Sequence, residues 1–355
     1  MEYADLAEAI IGTNNTNLMT PFLTASSSSK RLNYVRLLDE KYIQLGLDPT
    51  GVCDSTAALT EAYADAVDKQ MIVIGKGQFK QSSRITIGGD GIQIIYENGS
   101  NVFAEDTAYA PDTLYAAVNR NNLTFENINA VGNGSDPSGT PGSSPQAFYF
   151  AGCNDLRIID PKLSKFKGVG IALVNCDDSK IIGGKFKTMG QDVTGLQHPF
   201  GGTPAIWVGS GSSRVKIKDV YFETCQFSGI FIFSNYSDVV DCSFLNIGES
   251  AIYSENVDPS TNGGVEVRHN RYTGNKIQGV RIKDISACGL EILTHDTIIE
   301  SNTISDAGTH GIAMGCANRI IARGNIIGNA NGDYEELNAG IIATVHGGVY
   351  NPALD

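Results

Sequence analysis

Gly229-Ile230-Phe231-Ile232 is followed 22 residues later by Ala251-Ile252-Tyr253, and Gly289-Leu290-Glu291-Ile292 is followed by Gly311-Ile312-Ala313-Met314 at the same interval of 22. The same short apolar strand, opened by Gly or Ala, stands at Gly170-Ile171-Ala172-Leu173, Ala205-Ile206-Trp207-Val208 and Gly340-Ile341-Ile342-Ala343. Such a unit cannot bury its apolar face alone, and stacking successive copies gives one continuous core. The repeat therefore reads as the coil of a parallel β-solenoid, in which every strand alternates inward apolar with outward residues.

A second strand family runs beside the first: Val215-Lys216-Ile217-Lys218, Val239-Val240-Asp241-Cys242, Val265-Glu266-Val267-Arg268, Ile298-Ile299-Glu300-Ser301 and Ile320-Ile321-Ala322-Arg323. Asn270, Asn302 and Asn325 follow their strands. They are expected as structural residues that take left-handed turn positions and stack amide on amide.

The totals agree with this architecture. The chain has 355 residues, of which 40 are Gly and 18% are charged, which suits tightly stacked turns rather than a helical bundle. A formal charge of −13 provides no basic field for phosphates, so nucleic acid is not an expected partner. No run approaches the roughly 20 apolar residues of a membrane span, and the start Met1-Glu2-Tyr3-Ala4-Asp5 lacks a signal-peptide pattern. Seven cysteines without a Cys-x-x-Cys pair are expected to fill small buried core positions. The histidines show no metal or triad spacing, and phosphate-loop, dinucleotide and nucleophile-elbow patterns are absent, so neither metal nor cofactor is expected.

Two stretches near the start resemble known families. Glu8-Ala9, Gly12-Thr13-Asn14-Asn15-Thr16 and Met19-Thr20-Pro21 resemble a segment common in bacteriophage tail-fibre and tailspike proteins. Physically this is a short helix ended by Gly12 and then a turn closed by Thr20-Pro21. Further on, Asp48-Pro49-Thr50-Gly51-Val52-Cys53-Asp54-Ser55-Thr56-Ala57-Ala58, a helical pattern, Met71 to Ile74 and Gly75-Lys76-Gly77-Gln78-Phe79 look like the opening of the pectate-lyase-like right-handed β-helix superfamily. Ser55 replaces the family's usual second Asp, and Gly75-Lys76 its usual Pro, both in turns. Together they imply an all-β fold, a right-handed parallel β-helix. The expected division is an attachment segment at 1–30, a connector with a capping helix at 31–84, and the β-helix at 85–355.

Alternation in the first strand family points Trp207, Phe231 and Tyr253 outward on three successive coils about 4.8 Å apart. Phe233 and Glu255 point outward two residues on. Such a row is either a platform for the apolar faces of sugar rings or an interface covered by a neighbouring subunit. Turn-rich insertions at 131–145 and 191–203 are candidate groove walls, the second carrying His198. Glu249, Glu255, Asp258 and Glu291 lie near the end of the row, and two carboxyls about 5–9.5 Å apart suffice for glycoside hydrolysis. Between 279 and 297 two registers are open. Glu291 faces the row in one; in the other Gly279-Val280-Arg281-Ile282 is the strand, and the chemistry would be β-elimination, with Arg281 or Tyr253 handling the proton and a cation neutralising the uronate. Lys162, Lys165, Lys185 and Lys187 form a basic stripe one coil apart.

The catalytic candidates are thus Glu255, Glu291 and Asp258, and the substrate-binding candidates Trp207, Phe231, Tyr253, Arg281 and His198. The resemblance implies a phage tailspike: a homotrimeric, virion-borne receptor-binding protein, joined to other tail proteins through its N-terminal segment. It would bind and depolymerise a bacterial capsule or O-antigen, by hydrolysis or elimination. The alternative is a non-catalytic receptor-binding or structural tail protein.

Overall fold

A computed structural model describes residues 34–66, 71–104, 113–132, 146–189, 203–256, 266–280, 287–315, 319–328 and 339–344. The attachment segment at 1–30, His198, Asp258 and Arg281 lie outside the described residues, as do most of the two expected insertions.

Each coil after the first contributes one strand to each of three parallel sheets. Sheet A has 11 strands, from Tyr34–Arg36 to Ile321–Arg323; sheet B has 11, from Thr50–Asp54 to Ile326–Gly328; sheet C has 10, from Ile85–Ile87 to Ala339–Thr344. The first strand family is sheet C and the second is sheet A. Sheet B, with strands such as Lys185–Lys187 and Tyr221–Cys225, was hidden because its outward positions are polar and its strands run close after those of sheet A. The stack starts before residue 85, since Tyr34–Arg36 and Met71–Ile74 already pair in sheet A.

The first coil lacks a sheet-C strand. Helix α1 (Glu40–Gln44) lies between its two strands, and helix α2 (Thr56–Asp65) follows the second. Ala58, Leu59, Ala62 and Tyr63 of α2 are buried, and the Tyr63 ring meets Tyr115 of sheet C at 5.6 Å. The capping helix therefore covers apolar side chains that the missing strand would leave wet.

Inward side chains stack in register. Ile206, Ile230, Ile252, Leu290 and Ile312 form one column of sheet C, and all are fully buried. On sheet B the rings of Phe186, Phe222 and Phe244 stack at 5.2 and 4.7 Å. That ladder is one reason glycine opens the sheet-C strands at Gly170 and Gly229. A Cβ on Gly229 would come within 2.7 Å of both the Ala251 carbonyl and the Phe244 ring.

Three expectations are corrected. The sheet-A strand after Asp238–Val240 is Arg271–Thr273, not Val265–Arg268. Its Tyr272 continues the inward column between Val239 and Ile299, while Arg268 belongs to a turn, where it bridges His295. The left-handed turn residues are not Asn302 and Asn325 but their predecessors Ser301 and Gly324, with φ of 56° and 63°. The asparagines do stack, in a ladder that begins at Asn275: Asn302 Oδ1 accepts from the Asn275 amide at 2.9 Å, and Asn325 Oδ1 from the Asn302 amide at 3.0 Å. Asn270 sits at a different turn, where its Oδ1 accepts from the Ser237 amide at 2.8 Å. Among the cysteines, Cys153, Cys176, Cys225, Cys242 and Cys288 are buried free thiols, whereas Cys53 is exposed.

The lysine stripe lies on sheet B, with Lys162 opposite Lys185. Glu223 of the next coil binds Lys185 at 2.5 Å and Lys187 at 3.0 Å, so part of the stripe is neutralised. No helix among the described residues is long and apolar enough to cross a membrane.

Candidate active site on sheet C

The outward column of sheet C runs Tyr149, Ala172, Trp207, Phe231, Tyr253, Glu291, Ala313, each opposite the next. The aromatic row is thus in register, and Glu291 follows it directly. This resolves the two registers: Cys288–Leu293 is the sheet-C strand, and Gly279-Val280 ends the sheet-B strand Lys276–Val280. Val280 is buried against Ile247 and Ala307 of sheet B, which places its segment one sheet away from the row.

Phe227, Phe231, Phe233 and Tyr253 form a connected ring surface. Phe231 meets Tyr253 at 4.9 Å, Phe233 at 5.8 Å and Phe227 at 5.4 Å. Trp207, at 37% exposure, is open to water, while Phe231 and Tyr253 are half-buried by their neighbours.

Three carboxylates gather around Tyr253. Its hydroxyl donates to Glu255 Oε2 at 2.6 Å, the Ser250 hydroxyl donates to Glu291 Oε2 at 2.8 Å, and the Ser228 hydroxyl donates to Glu249 Oε2 at 3.2 Å. Glu255 is opposite Leu293, so Glu291 is its diagonal neighbour in the next strand. Backbone positions so related are about 7–8 Å apart, from which two glutamate side chains reach the carboxyl separations glycosidases use, about 5–9.5 Å.

Electrostatics separates the two. Burial raises the Glu291 pKa above the ordinary 4.5; the Ser250 hydroxyl opposes this, and the charge on Glu255 adds to it. Burial also raises the Tyr253 phenol, helped by its bond to Glu255 and by the charges of Glu291 and Glu249, so it remains a hydrogen-bond donor. The Cys288 thiol beneath is pushed up to about 12, by burial first and then by Glu291. A carboxyl with a raised pKa beside a second carboxyl is an arrangement that can serve acid–base chemistry. No group of three metal-ligating side chains occurs among the described residues.

The sequence placed Trp207, Phe231, Tyr253 and Glu255 on one face, where the structure has them, and left Glu291 open between two registers. It missed Ser228 and Ser250, which hold two of the acids. Their signal was present, because each directly precedes the Gly or Ala that opens its strand. Phe227 was missed as a member of the ring surface, and Tyr149 as a member of the outward column.

No family model matches the chain, and no curated protein sequence matches it. Solved structures do. The endo-xylogalacturonan hydrolase of Aspergillus tubingensis superposes with a TM-score of 0.56 at 14% identity, over 88% of this chain and 99% of that one. The enzymatically active domain of bacteriophage CBA120 tailspike protein 2 gives 0.53 at 11%, over 88% of this chain and 46% of that one. ORF18 of Geobacillus virus E2 gives 0.51 at 12%, over 98% of this chain and 66% of that one. This chain thus spans about half the length of the tailspike domain and just under two thirds of ORF18. At these identities the likeness is one of architecture: the chain is an all-β, right-handed parallel β-helix.

Proposed function

We propose that this protein is a phage tail component that binds a bacterial surface polysaccharide, capsule or O-antigen, along the sheet-C row and cuts it by glycoside hydrolysis. The observation that carries the reading is the diagonal pair Glu255 and Glu291 at the end of the aromatic row, with burial raising the pKa of Glu291. In this mechanism a sugar ring lies on Trp207 and Phe231. Glu291 gives its proton to the glycosidic oxygen as the bond to the anomeric carbon breaks, and Glu255, oriented by Tyr253, acts from the other face as nucleophile or as base toward water. Hydrolysis is favoured over elimination for two reasons. Glu291 continues the row, and the raised Tyr253 pKa makes a poor base of that phenol.

The tailspike architecture of CBA120 tailspike protein 2 supports a place on a virion. Within this reading, residues 1–30 join the chain to other tail proteins and three copies assemble into a spike. The test is incubation with a panel of capsular and O-antigen polysaccharides. Hydrolysis yields new saturated reducing ends, elimination yields a double bond conjugated to a uronate carboxyl, and binding without either product identifies a non-catalytic receptor-binding protein.

A further inference from the structure

The turn that leads from sheet C back to sheet A holds a left-handed residue at the same place in eight coils. The column runs Asn122, Asp155, Asp178, Arg214, Tyr236, His269, Asp296, Arg319, with φ between 52° and 61°. Asn and Asp tolerate this conformation, but a tyrosine there is a steric outlier that costs stability. Tyr236 is nonetheless 57% exposed, and its ring stacks on exposed His269 at 4.8 Å with 16° between planes. The turn itself needs neither aromatic, since four other coils use Asn or Asp at the same place. Strained residues persist where the surroundings or a function require them, and here the ring faces water.

We infer that Tyr236 and His269 form an accessory binding subsite for an uncharged sugar unit of an extended glycan, an inference that rests on the proposed polysaccharide-binding function. The platform adjoins the row. Phe233 touches both Phe231 and Tyr253, and Tyr236 is three residues further along the same chain, at most about 10 Å away when extended. A glycan crossing sheet C at Glu255 thus meets Phe233 and then the Tyr236 and His269 rings. The polar groups on either side are paired: Arg214 with Asp178 at 2.7 Å, and Arg319 with Asp296 at 2.7 Å. They offer hydrogen bonds to hydroxyls without a net charge, which fits a neutral sugar rather than a uronate or phosphate.

The test uses Tyr236→Asn, a substitution that suits the left-handed turn. Its thermal midpoint should equal or exceed that of the native chain, while the ring platform is lost. The probe is the polysaccharide that the native chain binds on an array of bacterial capsular and O-antigen glycans, compared with its shortest bound fragment. Affinity for the long chain should fall roughly fivefold to tenfold, independently of salt, with affinity for the short fragment unchanged. Unchanged affinity for the long chain overturns the subsite, and so does a loss that disappears at high salt. If Tyr236→Asn does not fold, His269→Asn carries the same comparison. A chain that binds no glycan on the array overturns the proposed function and the subsite with it, whereas a chain that binds and cuts, indifferent to Tyr236, loses only the subsite.

Discussion

Ser250, from one coil, donates its hydroxyl to the Glu291 carboxylate of the next at 2.8 Å. The bond stabilises the charged form of Glu291, while burial and the charge on Glu255 favour the protonated one. Ser250 therefore sets how far the carboxyl is raised. Ser250→Ala should raise the Glu291 pKa further and move the alkaline limb of the cleavage rate to higher pH. A limb that moves down or stays fixed removes Ser250 from that role.

The raised carboxyl also links stability to pH. Between the ordinary carboxylate range and its own higher value, Glu291 holds a proton in the folded chain that the unfolded chain has released. Its contribution to stability is full below that window and is lost as pH rises through it. Glu291→Gln, which stays neutral, should therefore become progressively more stable relative to the native chain as pH is raised above 4.5, in paired thermal or denaturant unfolding.

Trp207 is the most exposed ring of the row and sits two strands from Glu255 and three from Glu291. Trp207→Ala should weaken glycan binding about tenfold with no loss of unfolding midpoint, measured by titration calorimetry. A large loss of stability would instead make the ring part of a buried interface.

The asparagine ladder is the strongest purely structural prediction. Asn302 is fully buried; it accepts from Asn275 and donates to the Tyr272 carbonyl at 2.9 Å. Asn302→Ala orphans these groups at a cost of about 1–3 kcal/mol each, and should lower the unfolding midpoint while leaving the chemistry of the site intact.

The sheet-C face was legible because its strands combine a fixed opener with clean alternation. Once Ile206, Ile230 and Ile252 point inward, Trp207, Phe231 and Tyr253 have no other direction to take. Sheet B was illegible for the opposite reason: Lys185–Lys187 and Tyr221–Cys225 follow sheet A after one tight corner, so the two strands read as one. The register at Glu291 could not be read locally. Gly279-Val280 imitates the strand opener, and only the pairing of Val280 with Ile247 and Ala307 distinguishes it. The left-handed residues were displaced by one because the bonding asparagine and the turning residue are adjacent, and sequence shows the first more clearly than the second.

The central claim is that Glu255 and Glu291 cut a bound polysaccharide. The most direct measurement is the release of reducing ends from a polysaccharide bound by the native chain, Glu255→Gln and Glu291→Gln with equal affinity. The account predicts turnover by the native chain and a loss of roughly 10²–10⁴-fold in each variant. Full activity in either variant, or binding by the native chain with no new reducing ends, would contradict it.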